Sequence, residues 1–134
     1  MKKSWEQIHQ ELSEPFSHED VEWKIQTVSK DKSRGLAVAY VTARAIQNRL
    51  DAVVGAQNWK PVFRQWHTVT DRDGNPIPSQ LCTIQIFDDE RHEWMEKTDG
   101  AENTDYEPVK GGLSDAMKRA ASQWGIGRYL YKLG

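Results

Sequence analysis

The stretch from Asp88 to Glu96 holds the densest set of groups that could bind a divalent metal ion. It contains five carboxylates and one histidine, and these oxygen and nitrogen ligands could hold a metal ion for nuclease chemistry. Strand alternation, however, places His92, Trp94 and Glu96 on one face of the strand and Glu93 and Met95 on the other. The candidate metal ligands are therefore divided between two faces. Acidic residues are also the ordinary occupants of a solvated turn. We therefore predict a hairpin tip here, with a metal-dependent nuclease as the alternative.

Other catalytic patterns are not evident in the sequence. The histidines lie at scattered positions without metal-ligand spacing: His9, His18, His67 and His92. Serine does not occur in a nucleophile-elbow context. The Gly125–Arg128 stretch follows a predicted helix rather than a strand, and it lacks the third glycine and the lysine of a phosphate loop. It predicts a helix break where two backbones pack closely, and we expect no enzyme activity, no cofactor and no metal.

Cations are grouped around the last predicted helix. Lys118 and Arg119 are adjacent on its polar side, with Lys110 shortly before them and Arg128 shortly after. Cations that project from a rigid element can hold phosphates, and arginine can do so with two parallel hydrogen bonds. From these residues alone, an ordinary solvated helix face remains the alternative.

Composition indicates a folded, soluble single domain over residues 1–134. Hydrophobic residues make up 37% of the 134 residues, and six of them are tryptophan, which argues against disorder. The single cysteine, Cys82, excludes an internal disulfide and favours a reducing, cytoplasmic compartment. No apolar run approaches the roughly 18 residues that cross a membrane, so no membrane partner is expected. The abrupt end at Gly134 would suit the N-terminal part of a longer protein.

Charge is distributed unevenly although the formal net charge is only −2. Residues 24–64 carry eight Lys/Arg and two acids, a net charge of +6. Residues 71–107 have a net charge of −8, and residues 108–134 one of +4. If folding brings the two basic segments together, they would form a groove for a polyanion. Charge scattered over the surface is the alternative.

Hydrophobic periodicity predicts an α+β fold, in which three antiparallel strands follow the second helix. The predicted elements are a helix ending before Pro15, a hairpin of Val21–Ile25 and Leu36–Val41, a helix from Thr42 to Gly55, strands at Trp59–Thr70, Leu81–Phe87 and Arg91–Lys97, a loop from Gly100 to Gly112, and a helix from about Ser114 that Arg128–Tyr131 continues. Four tryptophans lie on apolar faces and are predicted to be core: Trp5, Trp23, Trp59 and Trp124. Trp66 and Trp94 are predicted to have structural or inter-subunit roles.

Residues 111–131, GGLSDAMKRAASQWGIGRYLY, form a long and specific motif. They resemble the signature of the Rad52-type single-strand annealing proteins, in the form found in the bacterial DNA damage response A proteins and their phage relatives. Met117 in place of leucine is the main departure. Segments at Val21–Lys24, Tyr40–Val53 and Asn58-Trp59 follow the same family order. The resemblance covers the chain from about Trp5 to Tyr131.

This resemblance implies a β-β-β-α core with a preceding helix, in subunits that assemble into a ring. Single-stranded DNA would lie in a basic groove around the ring, and complementary strands would be annealed without ATP in recombination and double-strand break repair. The family's groove Lys-Arg pair falls on Lys118 and Arg119. A further family arginine falls on Arg44 if a one-residue offset is allowed, and on Ala45 if it is not. A third groove cation falls on Ser122, so that contact is missing here.

The resemblance also bears on the remaining candidates and on the partners. Arg128 belongs to the shared tail motif. Arg64, on the same strand face as Trp66, and Lys110 complete the predicted DNA-binding set. The eukaryotic outer site lies at a hairpin turn that is acidic here, at Asp88–Glu90, so no outer site of that kind is expected.

Residues 1–134 would then be one DNA-annealing and oligomerisation domain. Its partners would be single-stranded DNA, further copies of the chain in a ring, and a single-strand binding protein or recombinase. Its place would be the nucleoid or a phage-infected bacterial cytoplasm. The competing hypotheses are the nuclease, a double-stranded RNA binder with the same β-β-β-α order, and an oligomerisation module without affinity for nucleic acid.

Overall fold

The computed structural model describes residues 3–28, 35–70, 72–74, 76–102 and 108–132. The helices are α1 (Trp5–Leu12), α2 (Ala43–Val54) and α3 (Pro108–Gln123), and the strands are β1 (Val21–Val28), β2 (Gly35–Val41), β3 (Trp59–Thr70), β4 (Pro76–Asp88) and β5 (Glu93–Glu102). Short 3-10 helices occur at His18–Asp20, Ala56–Asn58 and Arg128–Lys132. The predicted α+β class is confirmed, with a helix and a hairpin before a three-stranded antiparallel sheet and a helix.

The first two helices begin at side-chain caps that the sequence predicts. The Ser4 hydroxyl accepts a hydrogen bond from the Gln7 N–H at 3.1 Å. The Thr42 hydroxyl accepts one from the Ala45 N–H at 3.1 Å. Each bond satisfies a backbone donor that the helix itself leaves unpaired. Gly55 ends α2 with a φ of 94°, a conformation that glycine adopts without steric cost.

Helix α3 packs on one face of the β3-β4-β5 sheet. The side chains of Cys82, Ile84 and Ile86 alternate along β4 and are fully buried on this face. Small residues of α3, at Ala116, Ala120 and Ala121, are also fully buried and allow the helix backbone to approach the sheet closely. Burying each large apolar side chain stabilises the fold by roughly 1.5–3 kcal/mol, so this interface holds the helix in place.

Trp124 fixes the end of α3 to the sheet and to α1. Its Nε1–H donates to the Ile84 carbonyl at 3.0 Å. Its ring stacks on that of Trp5, with centroids 5.8 Å apart. Trp124 is buried and Trp5 and Trp59 are partly buried against the core, in agreement with the sequence prediction.

Trp23 does not follow that prediction, because 63% of it is exposed. It pairs across β1 and β2 with Ala39, which is buried. The apolar face of the hairpin is therefore covered at Ala39 and Val41 but extends past the core at Trp23. The side chain of Trp66, and residues 29–34 between the two strands of the predicted hairpin, lie outside what the structure describes.

The predicted loop from Gly100 to Gly112 is wrong at both ends, and residues 103–107 lie outside what the structure describes. Strand β5 continues to Glu102, and α3 already begins at Pro108. Proline suits the first position of a helix, where its missing N–H is not needed. The two glycines that suggested a loop lie inside the helix, and Gly112 is buried. Tertiary packing thus outweighs the low helix propensity of glycine.

Cys82 lies in the middle of β4 and is fully buried. Burial raises the pKa of its thiol to about 12, because the thiolate would lose its hydration. None of the helices in the described parts of the chain is long and apolar enough to cross a bilayer.

Candidate nucleic-acid interface

Lys118 is buried, although the sequence predicts it on the solvated face of α3. Only 8% of the residue is exposed. Its Nζ lies 5.6 Å from the centroid of the Tyr40 ring, at the end of β2. Ala39, Ile46 and Ile126 help to line the small cavity beside it. The apolar stem of the lysine thus crosses the core boundary and places its ammonium over an aromatic face.

Arg119 follows Lys118 in sequence but points elsewhere. Consecutive helix residues are about 100° apart around the axis, so burial of Lys118 leaves Arg119 on the open side. Arg119 is exposed, as is Gln123 one turn later. The Ser122 hydroxyl donates to the Arg119 carbonyl at 2.6 Å. The resemblance places a third groove cation at position 122. This chain has Ser122 there, and its hydroxyl is hydrogen-bonded to the backbone of its own helix.

Arg44 lies in the first turn of α2 and is exposed. Arg44 follows Tyr40 by four residues, and the Lys118 ammonium lies over the ring of Tyr40. Arg44 therefore lies in the first turn after the strand that carries Tyr40. We call Lys118, Arg119 and Arg44 the α3 cation group.

Arg128 is engaged at the C-terminal end of α3. Its Nε–H donates to the Ser122 carbonyl at 2.7 Å, and its Nη2 donates to the Gln123 carbonyl at 2.8 Å. The Lys97 ammonium also donates to the Gln123 carbonyl, at 3.1 Å. Helix C-termini leave carbonyls unpaired and carry a partial negative charge, so these cations cap the helix.

Gly125 and Gly127 allow the chain to turn closely against two other elements. Their φ angles are 95° and 70°. A Cβ at position 125 would lie 2.5 Å from Ser13 Oγ, and one at position 127 would lie 2.7 Å from Val41 Cγ2. The predicted helix break is confirmed, but the close neighbours of the two glycines are side chains and not a second backbone. The 3-10 helix that follows, and not a continuation of α3, carries Tyr129, whose hydroxyl accepts a hydrogen bond from the Phe16 N–H at 3.0 Å.

Arg49 has a structural role that the sequence did not reveal. Its guanidinium donates to four carbonyls at the end of α1, those of Glu11, Leu12, Glu14 and Pro15, at 2.7–3.3 Å. It also lies 3.9 Å from the centroid of the Phe16 ring. Burial lowers the pKa of Arg49, against the opposing charge of Glu14. The one available signal was that Arg49 lies off the apolar stripe of α2.

Arg64 and Lys110 are not brought into the α3 cation group. Arg64 is exposed on β3 and pairs with Leu81. Leu81 alternates with Cys82 along β4, so Arg64 lies on the face of the sheet away from α3. Lys110 lies in the first turn of α3, about 12 Å along the axis from Lys118, and its side chain is outside what the structure describes.

The acidic stretch after β4 forms a turn around Asp88. Its carboxylate accepts hydrogen bonds from the N–H groups of Glu90 and Arg91, at 3.0 and 3.4 Å. Burial alone would raise the pKa of Asp88, but these bonds, one from the Trp5 side chain and the Arg91 charge lower it overall. The described residues contain no group of three or more side chains placed to hold a metal ion.

The chain matches the family model described as Rad52/22 family double-strand break repair protein over residues 4–134. The chain belongs to this family. It is 35% identical over 126 residues to the single-stranded DNA-binding protein DdrA of Deinococcus deserti and 34% identical to DdrA of Deinococcus radiodurans. These matches cover 94% of this chain but 57% and 55% of the two relatives. The chain thus spans a little more than half the length of each.

Within this Rad52/22 chain, the signature motif divides into two kinds of residue. Gly125, Gly127 and Arg128 fix the tail of the motif against α1, β2 and the end of α3. Lys118 and Arg119 precede that tail by more than one helical turn. The Lys118 ammonium lies over the Tyr40 ring, and Arg119 is exposed to solvent. Tyr40 was not among the residues predicted for the site. Its position one residue off the apolar alternation of Ala39 and Val41 was the signal that could have found it.

Proposed function

We propose that residues 1–134 form a DNA-annealing and oligomerisation domain that binds single-stranded DNA and anneals complementary strands without ATP. The process served is recombination and double-strand break repair, and the working form is an oligomeric ring. Two findings support the proposal: the family is one of double-strand break repair proteins, and both relatives are named as single-stranded DNA-binding proteins.

The α3 cation group is the observation that carries the proposal. Lys118 is buried with its ammonium near the Tyr40 ring, so its side chain has less conformational entropy to lose on binding than an exposed lysine. Arg119 offers an exposed guanidinium on the adjacent face, and it forms no ion pair with the described residues. In this proposal both cations contact phosphates of the bound strand and neither reads its bases.

Repetition around a ring would extend this small group into a track. Each copy contributes Lys118, Arg119 and Arg44, so a chain whose net charge is only −2 can still bind a polyanion strongly. In this proposal the reaction uses no cofactor or metal ion, and it takes place in the bacterial or phage-infected cytoplasm. A single-strand binding protein or a recombinase would be the further partner.

Fluorescence anisotropy of a labelled oligo-dT, titrated at several salt concentrations, tests the binding site. Lys118→Met keeps the packed stem and removes the charge, and Arg119→Ala removes the open guanidinium. We expect the double variant to bind at least about tenfold more weakly, with the slope of log K against log salt reduced by about 1.4. Arg72→Ala is the matched control, because Arg72 is an exposed cation on the β3–β4 turn. Retained affinity in a folded double variant would contradict the site.

Annealing of two dye-labelled complementary oligonucleotides, followed by energy transfer without ATP or magnesium, tests the activity. We expect wild type to accelerate annealing and duplex DNA to compete poorly. Stronger competition by duplex RNA would favour the RNA-binding hypothesis, and degradation of DNA on addition of magnesium would favour the nuclease. Assembly without any affinity for single strands at low salt would overturn the proposed function and leave an oligomerisation module.

A further inference from the structure

The two edges of the β3-β4-β5 sheet carry opposite charge. Among the described strands, β3 and β5 each pair with β4 only. Strand β3 carries Lys60 and Arg64 and has no carboxylate, whereas β5 carries four acidic residues and one lysine. That lysine, Lys97, donates to the end of α3. One edge is therefore basic and the other acidic.

Register places one charge from each edge at the same height on the sheet. Lys60 pairs with Gln85 on one side, and Gln85 pairs with Glu96 on the other. Lys60 and Glu96 thus share a level and a face, and both are exposed. A second copy that continues the sheet without a shift along the strands would place its Lys60 beside Glu96 of the first.

The present contacts of these two side chains do not prevent that arrangement. The Lys60 ammonium lies 4.4 Å from the centroid of the Trp94 ring, and Glu96 accepts a hydrogen bond from Gln85 at 2.9 Å. Both contacts are on the surface. Exposed interactions of this kind contribute little to stability, so either side chain can turn toward a neighbouring copy at small cost.

Phe63 gives an independent reason to expect a neighbour at the β3 edge. It pairs with the buried Cys82 and so lies on the α3 side of the sheet, yet it is 38% exposed. Helix α3 packs mainly on β4 and β5 and not on β3. In a continued sheet, the α3 of the adjacent copy would lie beside this strand and cover Phe63, which removes apolar surface from water.

The same charges disfavour the symmetric alternatives. Two β3 edges would bring Lys60 and Arg64 against like charges, and two β5 edges would do the same for Glu96. Like-charge contacts oppose association, whereas opposite edges attract. A head-to-tail contact closes into a ring when the rotation between copies allows it.

We propose that the β3 edge of one copy docks on the β5 edge of the next, with Lys60 facing Glu96 across the contact. This proposal rests on the oligomeric ring of the proposed function. It specifies which surfaces of neighbouring copies meet in that ring. The occupant of each edge is a second copy of this chain.

Charge reversal tests the docking by sedimentation in the absence of DNA. Lys60→Glu and Glu96→Lys, each alone, should raise the concentration needed for assembly at least about tenfold. An equimolar mixture of the two variants should assemble again as alternating copies, because each contact then joins opposite charges. The double variant in one chain should assemble by itself for the same reason.

Matched controls place a reversed charge on the turns instead of the edges. Asp89→Lys and Arg72→Glu should assemble like wild type, and circular dichroism should show that every variant folds. A monomeric wild type, single variants that assemble normally, or folded variants that fail to recover on mixing would each overturn the docking. Because this readout contains no DNA, its failure is separate from loss of oligo-dT binding through Lys118 and Arg119.

Discussion

Four arginines on and after α2 and α3 show two opposite uses of the same side chain. Arg49 and Arg128 donate to backbone carbonyls where α1 and α3 end. Arg44 and Arg119 are exposed, with no hydrogen bond or ion pair from their side chains to the described residues. A guanidinium that already caps a helix has few donors left for a phosphate, whereas an open one has all five.

This difference limits what a count of charges can say about binding. Residues 24–64 and 108–134 carry net charges of +6 and +4, yet each segment uses one of its arginines to stabilise a helix end. The two kinds of arginine should therefore have different mutational effects. Loss of a capping arginine should lower the stability of the fold, and loss of an exposed one should lower the affinity for DNA.

Arg49→Ala should give the largest effect of the four. It removes four carbonyl contacts and the packing on Phe16, and hydrogen bonds to a charged group are worth more than neutral ones. We expect the free energy of unfolding in urea to fall by about 2–3 kcal/mol. Arg49→Lys should recover only part of it, because an ammonium cannot span the same carbonyls. Unchanged stability in Arg49→Ala would contradict the capping role of this arginine.

Arg128→Ala should be next in size. Its two carbonyl contacts are exposed, and Lys97 still donates to Gln123. We expect a loss of about 1 kcal/mol in the free energy of unfolding and nearly wild-type affinity for oligo-dT in the folded protein. A large loss of affinity at unchanged stability would move Arg128 into the group of open arginines and add it to the DNA-binding surface.

Arg119→Ala and Arg44→Ala should have the smallest effects on stability, within about 0.5 kcal/mol. Each should weaken binding to oligo-dT up to about fivefold and lower the salt slope by about 0.7. Anisotropy titrations checked by urea unfolding measure both quantities. An Arg44 variant with wild-type affinity and slope would restrict the site to α3.

Local patterns predicted most of the fold because local rules determine those parts. The bounds of β3 at Trp59–Thr70 and the Thr42 cap and Gly55 end of α2 agree with the structure. Alternation, a capping hydroxyl and a glycine with positive φ each act within a few residues. They need no knowledge of distant contacts.

The errors concern contacts between elements far apart in sequence. The apolar stripe of α3 predicts Lys118 on the polar side with Arg119, but Lys118 is buried and its ammonium lies near Tyr40 of β2. Trp23 continues an apolar alternation along β1, yet 63% of it is exposed. Gly111 and Gly112 are helical because α3 is held by the sheet. In each case tertiary packing overrides a local preference.

The buried thiol of β4 has a practical consequence for labelling. Cys82 is the only cysteine in the chain, and its burial both shields the thiol from reagents and raises its pKa to about 12, so very little reactive thiolate forms near pH 7.5. A maleimide dye would therefore react at a surface cysteine introduced by Arg72→Cys and leave the native one unmodified. Donor- and acceptor-labelled batches prepared this way could report, without any further change to the sequence, how closely neighbouring copies come together.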